Sequence, residues 1–303
     1  MIAAVFTAFD GAGSVALDAI EQQAALLQRQ GVDGAFVCGS TGEGPSLSSE
    51  ERIGIARRWC EVADGLEVIV HVGHTSLPEA RTLAAAAFAD GADGIAAFAP
   101  YYFAPAGPEA LVDFCGEVAA AAPTLPFLYY HIPQRTHVHP PMPDFLDLAR
   151  RRIPSFAGVK FTSPDLVEMA RCVEAAAPDV TILSGPDELL LQALTVGVRG
   201  AVGSTYNLAA PHYRAVFEAF GAGDMTRATE LQGRARRLIQ IAIDSGGLPA
   251  LKAMSRWLDV DCGGCRLPLR GLDAAGEAAL RSAVEAAGLL DLFAPPSAEG
   301  ADL

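Results

Sequence analysis

Lysine is almost missing from this chain. Of its 303 residues only two are lysine, Lys160 and Lys252, so twenty of the 22 basic residues are arginine. A guanidinium stays protonated and delocalised and cannot form an imine, whereas a desolvated lysine amine can. The shortage draws attention to both lysines without assigning either a task. Positive charge as a whole is scarce: 36 acidic residues leave a formal net charge of −14. A field of that sign repels phosphate backbones and anionic lipid, which argues against nucleic-acid and membrane partners. Long apolar runs are missing too. Gly, Pro or charge breaks each alanine-rich stretch well before the roughly 18 residues that a membrane span needs. Six cysteines (Cys38, Cys60, Cys115, Cys172, Cys262, Cys265) are too sparse for a secreted disulfide framework. Cys262-Gly-Gly-Cys265 has CxxC spacing, but it supplies only half of a zinc ligand set and no second pair follows, so it reads as a plain loop. The segment Met1 to Phe6 carries no basic n-region and no cleavage site, so the expected location is the cytoplasm.

What is present is apolar mass in an alternating pattern. The composition is 51% hydrophobic and 19% charged, with a mean hydropathy of +0.27, enough to bury a large core. Short β-like runs at Ile2–Phe6, Ala35–Cys38, Val68–Val70, Gly94–Phe98, Phe127–Tyr130, Phe156–Lys160, Val180–Leu183 and Gly200–Val202 each precede a helical stretch. The first helix is predicted over Val15–Gln30. A later one, with Ser48 or Ser49 as its cap, has Glu50 and Glu51 in its first turn. Others are predicted from about Asp187 to Val196 and from about Pro211 to Phe220. Strand–helix alternation of this kind implies a parallel sheet covered by helices, and eight units match a (β/α)8 barrel. No G-x-G-x-x-G follows the first strand, which weakens a dinucleotide-binding alternative. The expected organisation is an α/β barrel over 1–223 with a C-terminal helical extension over 224–303, including helices at Met225–Ile243 and Leu248–Trp257 and a loose tail from Ala294.

Catalytic groups of such barrels lie where strands end and loops begin. Ser40 and Thr41 follow strand two, Tyr101 and Tyr102 follow strand four, and Tyr130 ends strand five. Lys160 ends strand six, Gly185-Pro186-Asp187-Glu188 follows strand seven, and Gly203-Ser204-Thr205 follows strand eight. The polar clusters thus converge on one rim. A primary amine in an apolar strand end has its charged form disfavoured and can attack a ketone. The imine of a 2-oxo acid is an electron sink for breaking or forming a C–C bond, and a phenol can relay the protons. The Ser40-Thr41 turn offers hydroxyls and N–H groups to a carboxylate. Asp187 and Glu188 are also well placed as simple helix caps.

Four segments make the chain resemble a known family. They are Gly39-Ser40-Thr41-Gly42-Glu43, Tyr129-Tyr130-His131-Ile132-Pro133, Gly158-Val159-Lys160-Phe161-Thr162-Ser163 and Gly200-Ala201-Val202-Gly203-Ser204-Thr205-Tyr206-Asn207. In this order and spacing they resemble the class I pyruvate-dependent aldolases, the family of N-acetylneuraminate lyase and dihydrodipicolinate synthase, from Val5 to about residue 270. The resemblance implies Lys160 as Schiff-base lysine and Tyr130 as proton relay. It implies Ser40 and Thr41 as holders of the pyruvate carboxylate, with Thr41 within reach of Tyr130, and Tyr102 as a tyrosine lent across a subunit interface. It further implies a homotetramer built as a dimer of dimers, with no metal or organic cofactor.

Within the family, Ser40 before Thr41 and the Gly185-Pro186-Asp187-Glu188 segment are similar to the sialic-acid lyase branch. By that likeness Thr162, Gly185, Asp187, Glu188 and Ser204 contact a polyhydroxyl chain. Gln134-Arg135-Thr136 departs from it, and Arg135 is similar to an arginine with which the synthase branch binds a second carboxylate; a loop brace is the plainer alternative. The leading expectation is a lyase that cleaves a sialic-acid-like 2-oxo acid to pyruvate and an aldehyde sugar. A dihydrodipicolinate synthase-like enzyme, another 2-oxo-acid aldolase or dehydratase, and a catalytically silent sugar-acid sensor stand as alternatives. His71 and His74 read as polar rim residues, and His131, His137 and His139 as structural. Lys252, far in sequence from the rim, reads as salt-bridged or solvated.

Overall fold

A computed structural model describes residues 1–293. Eight strands, β1 (Ile2–Ala4), β2 (Gly34–Val37), β3 (Glu67–His71), β4 (Gly94–Phe98), β5 (Phe127–His131), β6 (Phe156–Phe161), β7 (Thr181–Ser184) and β8 (Gly200–Gly203), close into a barrel in chain order. Every neighbouring pair is parallel, and β8 returns to β1 with Ile2 opposite Val202. Alternation along each strand splits the apolar residues into two cores. Ala4, Phe36, Ile69, Phe98, Leu128, Tyr130 and Val202 fill the barrel itself. Their neighbours Ala35, Val68, Ile95, Tyr129 and Val159 face outward into the larger core under the helices.

This alternation also points Lys160 inward. In the β5–β6 ladder Phe127 pairs with Phe156 but Leu128 pairs with Gly158, so Ala157 is an extra residue. The bulge brings Lys160 level with Tyr130. A slip of one residue would turn every side chain of β6 to the other face.

The helices follow the expected order with three instructive differences. The first begins at Ala19, not Val15, because Val15 bridges back to Phe9 and the Asp10 carboxylate accepts from the N–H groups of Ala12 and Ser14. The helix after β7 opens with a tight 3₁₀ turn at Asp187–Leu189 before continuing over Leu190–Thr195. After β8 the helix starts at Tyr206 and runs to Gly221, with non-helical backbone at Ala209. Pro211 lacks an N–H and its ring crowds the preceding turn, so the helix kinks there instead of starting there. Beyond the barrel lie helices at Met225–Asp244, Leu248–Ser255 and Ala274–Ala286. The tail expected from Ala294 onward lies outside the described residues.

Candidate active site

Ten of the eleven residues singled out from the sequence line one cavity of about 390 Å³ at the C-terminal ends of the strands. They are Ser40, Thr41, Tyr130, Arg135, Lys160, Thr162, Gly185, Asp187, Glu188 and Ser204. Ser40, Thr41, Arg135 and Ser204 also line a second, more apolar chamber of about 590 Å³ with Phe98, Leu248 and Leu251, so the two spaces are continuous. Tyr102 stands apart, 79% exposed on the loop after β4 and stacked edge-on against Phe103, itself 85% exposed.

Lys160 is 3% exposed. Its Nζ sits over two ring faces, 4.1 Å from the centroid of Phe36 and 4.3 Å from that of Tyr130. Among the described residues no carboxylate lies within ion-pair distance of it. Burial pulls its pKa below the ordinary lysine value, and the opposing pull of Tyr130 and Asp187 is the smaller effect. The apolar flanks of β6 thus set an amine whose neutral, nucleophilic form is easier to reach than that of a solvated lysine.

On one side of the amine, Ser40 Oγ lies 3.4 Å from Tyr130 Oη and Thr41 Oγ1 lies 2.6 Å from Ser204 Oγ. The hydroxyl partner of Tyr130 is therefore Ser40, whereas Thr41 is engaged with the loop after β8. On the other side Asp187 is buried, and its Oδ2 accepts from Thr205 N at 2.9 Å and Thr205 Oγ1 at 2.6 Å. The Tyr213 hydroxyl lies 2.6 Å from that same Thr205 oxygen. Burial raises the Asp187 pKa to about 6 against the lowering pull of these hydrogen bonds. The carboxylate is seated so close to β8 that a Cβ at Gly203 would fall 1.6 Å from Asp187 Oδ1. A Cβ at Gly185 would meet Thr162 Oγ1 at 1.8 Å, and that buried hydroxyl has no protein partner. Backbone without side chains at these two positions lets the polar groups crowd the cavity wall.

One reading from the sequence needs correction. His71 is not a polar rim residue: it is buried under the rim, 4.5 Å between ring centroids from Phe98 and edge-on to Tyr130. Its Nδ1 lies 3.1 Å from Cys38 O, and burial, reinforced by Arg52 and Lys160, holds its pKa well below the ordinary value. Of the two readings of Lys252, salt-bridged or solvated, the structure bears out the salt bridge. Lys252 pairs at 3.1 Å with Glu43, directly after the Ser40-Thr41 turn. Sequence distance hid that contact, because barrel closure brings helix Leu248–Ser255 back over the first loops. For Arg135, no side-chain hydrogen bond or ion pair holds the guanidinium among the described residues, so it is no loop brace. Also among the described residues, no three His, Cys, Asp or Glu side chains converge to hold a metal ion. Cys262 and Cys265 are free thiols.

The family profile of the dihydrodipicolinate synthetases matches residues 1–287. The chain belongs to the dihydrodipicolinate synthetase family. N-acetylneuraminate lyase of Mus musculus is 39% identical over 307 residues, covering 98% of this chain and 94% of the relative. Among solved structures, N-acetylneuraminate lyase of Proteus mirabilis matches with a TM-score of 0.92 at 35% identity, covering 95% of this chain and 98% of that one. The N-acetylneuraminate lyase of Aliivibrio salmonicida gives the same TM-score at 38% identity, covering 95% and 96%. In this family member sequence reasoning assigned no role of their own to Glu43 and Thr205, which stand in the quoted motifs, and missed Gln232 and the place of Lys252 near the site; only the scarcity of lysine hinted at Lys252.

Proposed function

We propose that this protein is a class I aldolase that cleaves a sialic-acid-like 2-oxo acid to pyruvate and an N-acylated aldehyde sugar. The observation that carries the reading is the Lys160 amine without an ion-pair partner, over the ring faces of Phe36 and Tyr130 in a cavity also lined by Ser40, Thr41, Thr162, Asp187, Glu188 and Ser204. The lyase relatives support the choice of substrate class.

The neutral Lys160 amine adds to the C2 ketone of the open-chain acid, and the carbinolamine loses water to give an iminium. Tyr130, its hydroxyl beside that of Ser40, gives its proton to the departing carbinolamine hydroxyl and, as the phenolate, then takes the proton of the C4 hydroxyl. The C3–C4 bond then breaks, its electron pair moving into the iminium to leave an enamine while C4 becomes an aldehyde. Protonation at C3 and addition of one water release pyruvate and regenerate the amine, so no net oxidation or reduction occurs. The Lys160 imine is itself the electron sink, and the sequence of steps requires neither a metal nor an organic cofactor. Ser40 and Thr41 hold the pyruvate carboxylate, while Thr162, Gly185, Asp187, Glu188 and Ser204 face the hydroxyl chain. A cavity of about 390 Å³ lined by hydroxyls and carboxylates suits a nine-carbon polyhydroxy acid. Tyr102 acts from a neighbouring subunit of a tetramer, which its exposure beside Phe103 supports. Free cysteines fit a reducing compartment, the cytoplasm.

A second reading rests on Arg135. An unpaired guanidinium on the wall suits a second carboxylate, as in a dihydrodipicolinate synthase-like reaction. Turnover assays on N-acetylneuraminate and on pyruvate with aspartate semialdehyde separate the two. The lyase reading expects pyruvate from the first and little from the second, and the reverse result would sink it. Pyruvate with borohydride, followed by mass spectrometry, should add a reduced adduct at Lys160. An unmodified lysine would favour a silent sensor.

A further inference from the structure

Two buried side chains from the helices beyond the barrel reach the backs of the two walls without lining either chamber. The first is Lys252. Its ammonium has three N–H donors, and each finds an oxygen: Thr7 O at 2.8 Å, Glu43 Oε1 at 3.1 Å and Gly264 O. The other Glu43 oxygen accepts from Arg266 N at 2.8 Å. Glu43 has φ 54° and Cys38 has φ 58°, so the segment carrying Ser40 and Thr41 begins and ends on left-handed, non-glycine backbone. Such backbone is costly and persists only where surrounding contacts over-determine it. The second side chain is Gln232, fully buried in helix Met225–Asp244. Its Nε2 donates to Asp187 O at 3.1 Å and its Oε1 accepts from Leu191 N at 3.0 Å, which ties down the 3₁₀ turn that carries Asp187.

We infer that Lys252 and Gln232 are positioning residues that divide the site between them: Lys252, acting through Glu43, sets the carboxylate-binding turn, and Gln232 sets the turn that carries Asp187. The helical layer is then a working part of the site and not only its cover. The inference rests on the aldolase reading, and its effects differ by substrate end. Lys252→Met should raise the pyruvate concentration for half-maximal borohydride trapping at Lys160 by about tenfold, since shifting a binding group by around 1 Å costs up to about a hundredfold. Gln232→Met should leave that concentration within about twofold and raise the KM for N-acetylneuraminate several-fold. A merely structural role would lower the amount of folded protein and move neither constant selectively.

The experiment is a pyruvate titration of trapping, read by intact-protein mass spectrometry, alongside steady-state kinetics on full-length wild type and both variants. Circular dichroism reports the fold. Because Lys252→Met strands a buried carboxylate, the charge-neutral pair Glu43→Gln with Lys252→Met is titrated as well. The inference is overturned if a folded Lys252→Met or the double variant traps pyruvate at the wild-type concentration. It is overturned too if both substitutions shift both constants equally, or if neither Lys252 variant folds, since the pair then serves the fold alone. Absence of trapping in wild type would instead remove the aldolase reading, and this inference with it.

Discussion

Lys160 ends β6 with ring faces for neighbours, whereas Lys252, in the helical layer, gives each of its ammonium protons an oxygen and has Glu43 beside it. Both are shut off from water, at 3% and 1% exposure. The difference lies in what compensates the buried charge. An ion taken out of water needs a partner or it gives up its proton. At Lys252 the partner is present, so the amine is a fixed cation and acts as a tether. At Lys160 no carboxylate stands at ion-pair distance among the described residues, and burial pulls the pKa down. One residue type thus stands as an amine of lowered pKa or as an anchor, according to the charge set beside it.

The sharpest way to break this contrast is to delete each charge in turn and measure stability. Lys252→Met leaves Glu43 buried and unpaired, and should cost about 3–5 kcal/mol of unfolding free energy. Lys160→Met removes a buried amine that has no ion-pair partner and keeps the apolar stem. It should leave thermal stability unchanged or raise Tm by around 2 °C while abolishing pyruvate trapping. Denaturant melts of the two variants test the pair together. If Lys160→Met loses as much stability as Lys252→Met, the unpaired state of the nucleophile has been misread.

The contrast also explains which parts were legible in the sequence. The barrel and the cavity lining follow from local signals: period-two strands, helix caps, and polar residues at strand ends such as Ser40, Tyr130 and Lys160. Those signals lie within a few residues of the chemistry they report. What supports the wall does not. Glu43 and Lys252 meet across 209 residues, and Gln232 reaches back 45 residues to Asp187. No spacing rule encodes such distances, because barrel closure and the packing of the last helices create them. Even the Ser40 contact with Tyr130 joins residues 90 positions apart.

A smaller effect tests the opposite wall. Asp187 titrates near 6, raised mainly by burial. Above that pH it is a carboxylate that accepts hydrogen bonds, and below it a proton occupies one oxygen. If the ionised form receives the sugar hydroxyls, KM for the sugar acid should rise as pH falls through about 6, approaching tenfold per unit below it for a single proton. Lys160 shifts in the other sense: a lowered lysine pKa enlarges the neutral fraction at a given pH, and acid then suppresses imine formation with any 2-oxo acid. Following both KM for N-acetylneuraminate and half-saturation for pyruvate trapping between pH 5 and about 8 separates the two groups. Asp187→Asn should flatten the first profile only. A sugar-acid KM that is flat through pH 6 in the wild type would remove Asp187 from direct contact.

Arg135 sharpens the comparison least but extends it to a third cation. It is exposed and without a side-chain partner among the described residues, so water already compensates its charge and its removal strands nothing. Arg135→Met should therefore change stability by less than about 0.5 kcal/mol, the usual range for surface positions. Its effect on catalysis depends on the substrate. For a monocarboxylic sugar acid, if its carboxylate sits at Ser40 and Thr41 as proposed, kcat/KM should fall by no more than about threefold, within the modest worth of a solvent-screened charge. For a dicarboxylic substrate the guanidinium meets the second carboxylate, and the loss should reach about tenfold or more, as for a charge-assisted bidentate contact. Measuring kcat/KM of this one variant on both acids decides between them. A large loss on N-acetylneuraminate would mean that the arginine holds the sugar acid's own carboxylate, and the Ser40-Thr41 turn would need another role.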